Sequence, residues 1–178
     1  MIINKIEEGV KLILQGLEVD PEDRNYAETP QRFAKMLKEM FVPNESKFPT
    51  FEESYSGLIL ARGHKIFTLC PHHLALVELE IDMAYLPTKE VYGLSKLGRI
   101  ANSLNTKPLL QEEFTRILAE NLSAIPGCRG SAVVVQGLHG CMRVRGIRTH
   151  GDVITSSATG EFQNPQVWQN FLELRKRY

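Results

Sequence analysis

Two short runs concentrate the chemistry of this chain: Cys70-Pro71-His72-His73 and, some 70 residues on, His139-Gly140-Cys141, holding two of its three cysteines and three of its five histidines. Thiolate sulfur and imidazole nitrogen are ligands that zinc prefers, and a catalytic zinc takes three protein ligands and keeps its fourth position for water. Cys70, His73 and Cys141 supply such a set, which leaves His72 and His139 beside the metal as proton carriers. The CxxH and HxC spacings match neither common finger pattern. Spacing alone leaves a catalytic metal, a structural metal and a chance cluster all open.

The elements that must bring these runs together can be read from periodicity. Ile6, Val10, Ile13, Leu14 and Leu17 recur at helical spacing, which predicts a helix over the first 16 or so residues. Thr29-Pro30 reads as a second helix start, with Thr29 as N-cap and Phe33, Leu37 and Phe41 on one face. Val42 to Gly57, with two prolines and scattered polar residues, reads as a linker, so residues 1–57 form a helical arm and 58–178 the main domain. Leu79, Ile81, Met83 and Tyr85 alternate with Glu78, Glu80 and Asp82, the mark of a strand with one wet face. Two helices follow, one capped by Ser95 and carrying Leu97, Ile100, Ala101 and Leu104, the other carrying Phe114, Leu118 and Leu122. Ser131 to Leu138 and Cys141 to Thr149 read as two strands, and Asn164-Pro165 opens a terminal helix bearing Val167, Trp168, Phe171 and Leu172. If Cys141 to Thr149 is extended, His139, Cys141, Arg143 and Arg145 line one surface, a metal ligand and two guanidinium groups facing an anionic substrate.

Composition narrows the classes of function. At 178 residues and 43% hydrophobic content the chain can bury one real core. Lys plus Arg equals Asp plus Glu at 21 each, so no overall field draws it to nucleic acid or an anionic membrane. The basic run Arg175-Lys176-Arg177 reads as a solvated tail. Lys5, Glu7, Glu8 and Lys11 interrupt the first residues, which excludes a signal peptide or spanning segment there and makes a cytoplasmic protein the expectation. An odd number of cysteines, two beside histidines, suits thiolate ligands in a reducing compartment, with Cys128 as a bystander.

With these residues in hand the chain resembles the GTP cyclohydrolase I family. The resemblance runs from Glu28-Thr29-Pro30-Gln31-Arg32-Phe33 through Cys70-Pro71-His72-His73, Tyr85-Leu86-Pro87, Gly93-Leu94-Ser95-Lys96-Leu97-Gly98-Arg99, Gln111-Glu112 and His139-Gly140-Cys141-Met142-Arg143-Val144-Arg145-Gly146 to Thr155-Ser156. It implies an α+β tunnelling fold, a four-stranded antiparallel sheet with two helices on one face, preceded by the helical arm. It also implies hydrolytic opening of the guanine five-membered ring of GTP, formate release and an Amadori rearrangement to 7,8-dihydroneopterin triphosphate. By the same resemblance Cys70, His73 and Cys141 hold Zn2+, His72 and His139 transfer protons, and Ser95 assists the rearrangement. Glu112 is then expected at the guanine, Gln111 among the substrate-binding residues, and Lys96, Arg99, Arg145, Arg32 and Lys35 at the triphosphate. A homo-oligomer, by analogy a decamer with interfacial sites, is expected, with no nucleic acid or membrane partner. Pro71 stands where the family usually has glutamate, and Gly98 and Gly140 stand where bulkier residues are common. The competing readings are a related enzyme of the same fold acting on another purine or pterin, and a catalytically silent zinc-stabilised binding module.

Overall fold

The computed structural model describes residues 1–20, 22–41 and 48–176, in two compact units, Met1–Val42 and Pro43–Tyr178. The first unit pairs α1 (Ile3–Gly16) with α2 (Thr29–Met40), burying Val10 and Leu14 from one and Pro30 and Ala34 from the other. Thr29 is already inside α2, and the residue at the N-cap is Glu28. The Glu28 carbonyl accepts the first helical bond, from Arg32 N at 3.0 Å, while the Thr29 N–H is taken by the Tyr26 carbonyl at 2.8 Å. The turn before the helix therefore places the cap one residue earlier than a threonine signal suggests.

Within the second unit, β2 (Ile59–Leu69), β3 (Leu76–Leu86), β5 (Gly130–His139) and β6 (Val153–Ala158) form an antiparallel sheet in the order β2-β3-β5-β6. A separate ribbon joins β1 (Thr50–Glu52) to β4 (Glu90–Tyr92). Of the expected linker, residues 42–47 lie outside the described residues, and Thr50–Glu52 is strand because β4 supplies its ladder partner.

The alternation read in β3 sets the main core. Leu79, Ile81, Met83 and Tyr85 are buried together with Val133 and Val135 of β5 beneath α3 (Leu94–Ser103) and α4 (Gln111–Leu122), which contribute Leu97, Ile100, Phe114, Leu118 and Leu122. This is the four-strand, two-helix layering that the resemblance implied. Ser95 does not cap α3: Gly93 occupies the N-cap and no side chain bonds there. At the far end of the sheet the opposite face is also covered, since Ala84, Leu86, Ala132 and Val134 pack with Phe162 of a 3-10 turn (Gly160–Gln163) and Phe171 of α6 (Pro165–Lys176). Asn164 opens α6 as expected, its Oδ1 accepting from Gln166 N at 2.9 Å.

The expected strand over Cys141 to Thr149 is not formed. After β5 the chain turns into a single helical turn, α5 (Gly140–Arg143), closed by Val144 N donating to Gly140 O at 3.0 Å and Thr149 N to Met142 O at 3.0 Å. Gly146 at φ 58° and Arg148 at φ 49° are left-handed, a backbone no strand can keep. The fourth strand is β6, whose Thr-Ser-Ser sequence lacks the apolar alternation that would have marked it.

Candidate active site

A tight turn between β2 and β3 carries the first two candidate ligands. Cys70 N donates to Ala75 O at 2.9 Å and Leu74 N donates to Cys70 O at 2.9 Å, with Leu74 held left-handed at φ 51°. That conformation costs a branched side chain roughly 1–2 kcal/mol, which the flanking ladder must offset. The turn points Cys70 and His73 the same way, with Sγ 3.5 Å from Nδ1.

The third ligand arrives through strand register. β3 and β5 pair Val77 with His139, so β5 ends beside the start of β3, next to the turn. Gly140 passes so close to β3 that a Cβ there would stand 2.7 Å from Leu76 O. The helical turn then carries Cys141 inward, and the ligand atoms of Cys70, His73 and Cys141 all lie within 4.8 Å of one another. Burial pushes the Cys141 thiol up, and the neighbouring Cys70 pushes it further, so the pair resists carrying two thiolates unless a cation joins them. Two soft sulfurs and one imidazole, with no fourth side chain in the cluster among the described residues, fit zinc with one open position.

Arg145 is four residues after Cys141. It lies just beyond the helical turn and still meets the cluster, with Nη1 2.6 Å from His73 Nε2. Arg143, two residues after Cys141, falls on a different face of the turn and, like Arg145, is exposed.

Beside the ligands lies a cavity of about 170 Å³ whose lining includes Cys70, His72, Gln111, Glu112, His139 and Met142. Larger hollows of about 640 Å³ beside Glu52, Lys89 and Glu90 and about 490 Å³ beside Phe51 and Tyr92 have no histidine or cysteine among the described residues of their walls. Chemistry, not size, therefore marks the site. His139 is held below its ordinary range by burial, partly opposed by the charge of Glu112. Glu112 sits in the first turn of α4, where the exposed helix N–H groups favour a carboxylate. Pro71 lines the cavity from the exposed side of the ligand turn.

Ser95, Lys96 and Arg99 lie on α3 and are not among the residues lining this cavity. Arg32 and Lys35 belong to the first unit, where Arg32 pairs with Glu28 and Lys35 lies 3.9 Å from Glu39. Sequence reading missed Thr115, which is buried and donates to Gln111 O at 2.7 Å. Its position four residues after Gln111 on one helix was the available signal. Thr155 was noted only within a motif, and its Oγ1 lies 2.6 Å from that of Thr115.

Comparison with known proteins gives one family. A family model described as GTP cyclohydrolase I matches residues 6–176. A GTP cyclohydrolase 1 of Sulfurihydrogenibium sp. is 37% identical over 175 residues, covering 96% of this chain and 94% of the relative. One from Clostridium perfringens is 35% identical over 172 residues, covering 93% of each. Among solved structures, an archaeosine synthase QueF-Like in the apo form aligns over 60% of this chain with a TM-score of 0.42 at 20% identity.

Proposed function

The chain belongs to the GTP cyclohydrolase I family, and from that premise we propose that it hydrolyses the imidazole ring of GTP, releases formate, and rearranges and recloses the product to 7,8-dihydroneopterin triphosphate. The observation that carries this reading is the meeting of Cys70, His73 and Cys141 beside a cavity walled by His72, Glu112 and His139. Zinc held by the three ligands would lower the pKa of a water at its open position to about 7, supplying a nucleophile for C8.

The remaining steps fall to the chain's own groups. His139, a mostly neutral imidazole, takes up the proton released by the attacking water and passes it to N7 as C8 becomes tetrahedral. His72, exposed on the ligand turn, serves the later proton shifts. The Glu112 carboxylate accepts from the guanine N1 and amino hydrogens, a pairing that adenine would leave unsatisfied. Ser95 assists the rearrangement, and Lys96, Arg99 and Arg145 hold the triphosphate as a handle.

A cavity of about 170 Å³ is well below the roughly 300–1,000 Å³ of sites that engulf a whole ligand. Leu74, Val144 and Ile147, near the ligands in sequence, are 63%, 73% and 78% exposed. A second copy of the chain covering them would deepen the site, so we assign a homo-oligomer, by family analogy a decamer. Three free cysteines, two in the ligand cluster, suit the reducing cytoplasm. Among the described residues no helix is long and apolar enough to cross a membrane.

The test is GTP turnover followed by released formate and by pterin fluorescence after oxidation. Both signals are expected, lost with a chelator and restored by added zinc. Zinc-loaded protein that produced neither would overturn the assignment.

A further inference from the structure

Gln111 was expected among the substrate-binding residues, and its amide bonds to the protein. The residue is 5% exposed. Its Nε2 lies 3.1 Å from Val135 O, 2.9 Å from Val153 O and 3.1 Å from Thr155 Oγ1, and its Oε1 lies 2.8 Å from His139 Nε2. Carbonyl oxygens only accept, so the nitrogen must face Val135 and Val153, and the amide cannot be turned over. The oxygen then faces His139, and His139 Nε2 must carry the hydrogen between them.

Two hydroxyls lock this arrangement. Thr115 donates to Gln111 O at 2.7 Å, so its oxygen receives the Thr155 hydroxyl hydrogen at 2.6 Å, and Thr155 in turn accepts from Gln111 Nε2. Each hydroxyl donates once along a chain running from the Gln111 side-chain amide to its backbone carbonyl, an order in which hydrogen bonds polarise one another, and the two amide hydrogens are shared among three acceptors. Gly137 leaves room for the pair: a Cβ there would collide with Gln111 Oε1 and stand 2.9 Å from His139 Nε2.

We infer that Gln111 is a positioning residue that holds His139 in the Nε2–H tautomer and leaves Nδ1 as the atom that exchanges protons with the substrate. The inference rests on the proposed cyclohydrolase reaction for its catalytic meaning, but the tautomer itself does not depend on it.

Two measurements test it on the full chain. Neutron diffraction of the deuterated protein should find deuterium on His139 Nε2 and none on Nδ1; the reverse would overturn the inference even if GTP turnover is normal. In Gln111→Met, kcat for GTP should fall about 100-fold, the scale set by a misplaced catalytic group, with KM within about twofold of the parent. A raised KM with kcat unchanged would instead make Gln111 a base contact and sink the positioning role. If Gln111→Met does not fold, Gly137→Ala, which pushes the amide off His139, should give the same kcat loss at unchanged KM, and parental kcat in that variant would likewise overturn the inference. Absence of turnover in the parent would dispose of the cyclohydrolase reading alone.

Discussion

His139 stands between two influences of opposite sign. Burial disfavours its imidazolium form and the nearby Glu112 carboxylate favours it, with burial the larger. Replacing Glu112 by Gln removes the opposing charge, so the His139 titration midpoint should move further down, which an NMR titration of its ring protons without GTP will read; an upward move would contradict the electrostatics. The same shift bears on stability. The folded chain protonates this ring less readily than the unfolded chain, whose imidazole titrates near 6.5, so the unfolded state binds more protons in the interval just below that value. The stability is fully present above about 6.5 and declines as the pH falls through the lower folded midpoint. At this scale the sequence was most informative about types: two cysteines and a histidine distant in the chain were legible as one cluster because few other residues bind zinc. The partner of Gln111 was not legible, since an amide can serve a ligand or a neighbouring ring, and only the two carbonyls that face its nitrogen decide.

Elements were legible where burial is one-sided. Leu79, Ile81, Met83 and Tyr85 announced β3 because α3 and α4 cover one face, while on the other face Glu80 is exposed and Glu78 and Asp82 partly so. The segment after Cys141 misled for a physical reason. Arg143, Arg145 and Ile147 alternate in sequence, but among the described residues they pair with no strand, and Gly146 and Arg148 take left-handed angles instead. The C-terminal helix was legible by its Asn-Pro start and apolar spacing. Phe171 within it is fully buried, with its ring centroid 6.0 Å from that of Phe162 and 5.3 Å from that of Trp168. Phe171→Ala should cost about 3–5 kcal/mol in denaturant unfolding, since the surrounding sheet and rings cannot collapse into the space. A loss below 1 kcal/mol would mean that α6 is not docked as described.

For the whole molecule, balanced charge at 21 against 21 leaves association to shape and apolar surface rather than to long-range attraction. Ile147 at 78% and Leu94 at 79% exposure are large apolar side chains that the single chain does not cover. Ile147→Asp should therefore lower the sedimentation coefficient, with the larger species of the parent giving way to smaller ones, while far-UV circular dichroism stays unchanged. A parent that sediments as an active monomer would remove the argument. Nothing in the sequence counts subunits, because a surface that would meet another copy carries no periodic signal of its own.

The sheet separates its two duties along its length. β3 runs about 33 Å at the usual rise per strand residue, with Val77 paired to His139 at one end and Leu86 paired to Gly130 at the other. The candidate metal ligands flank the first end, and α6 with Phe162 clasps the second. Fraying of the clasp under heat or proteolytic attack can therefore begin without the reacting groups registering it, and the chemistry outlasts the first stages of the molecule's own decay.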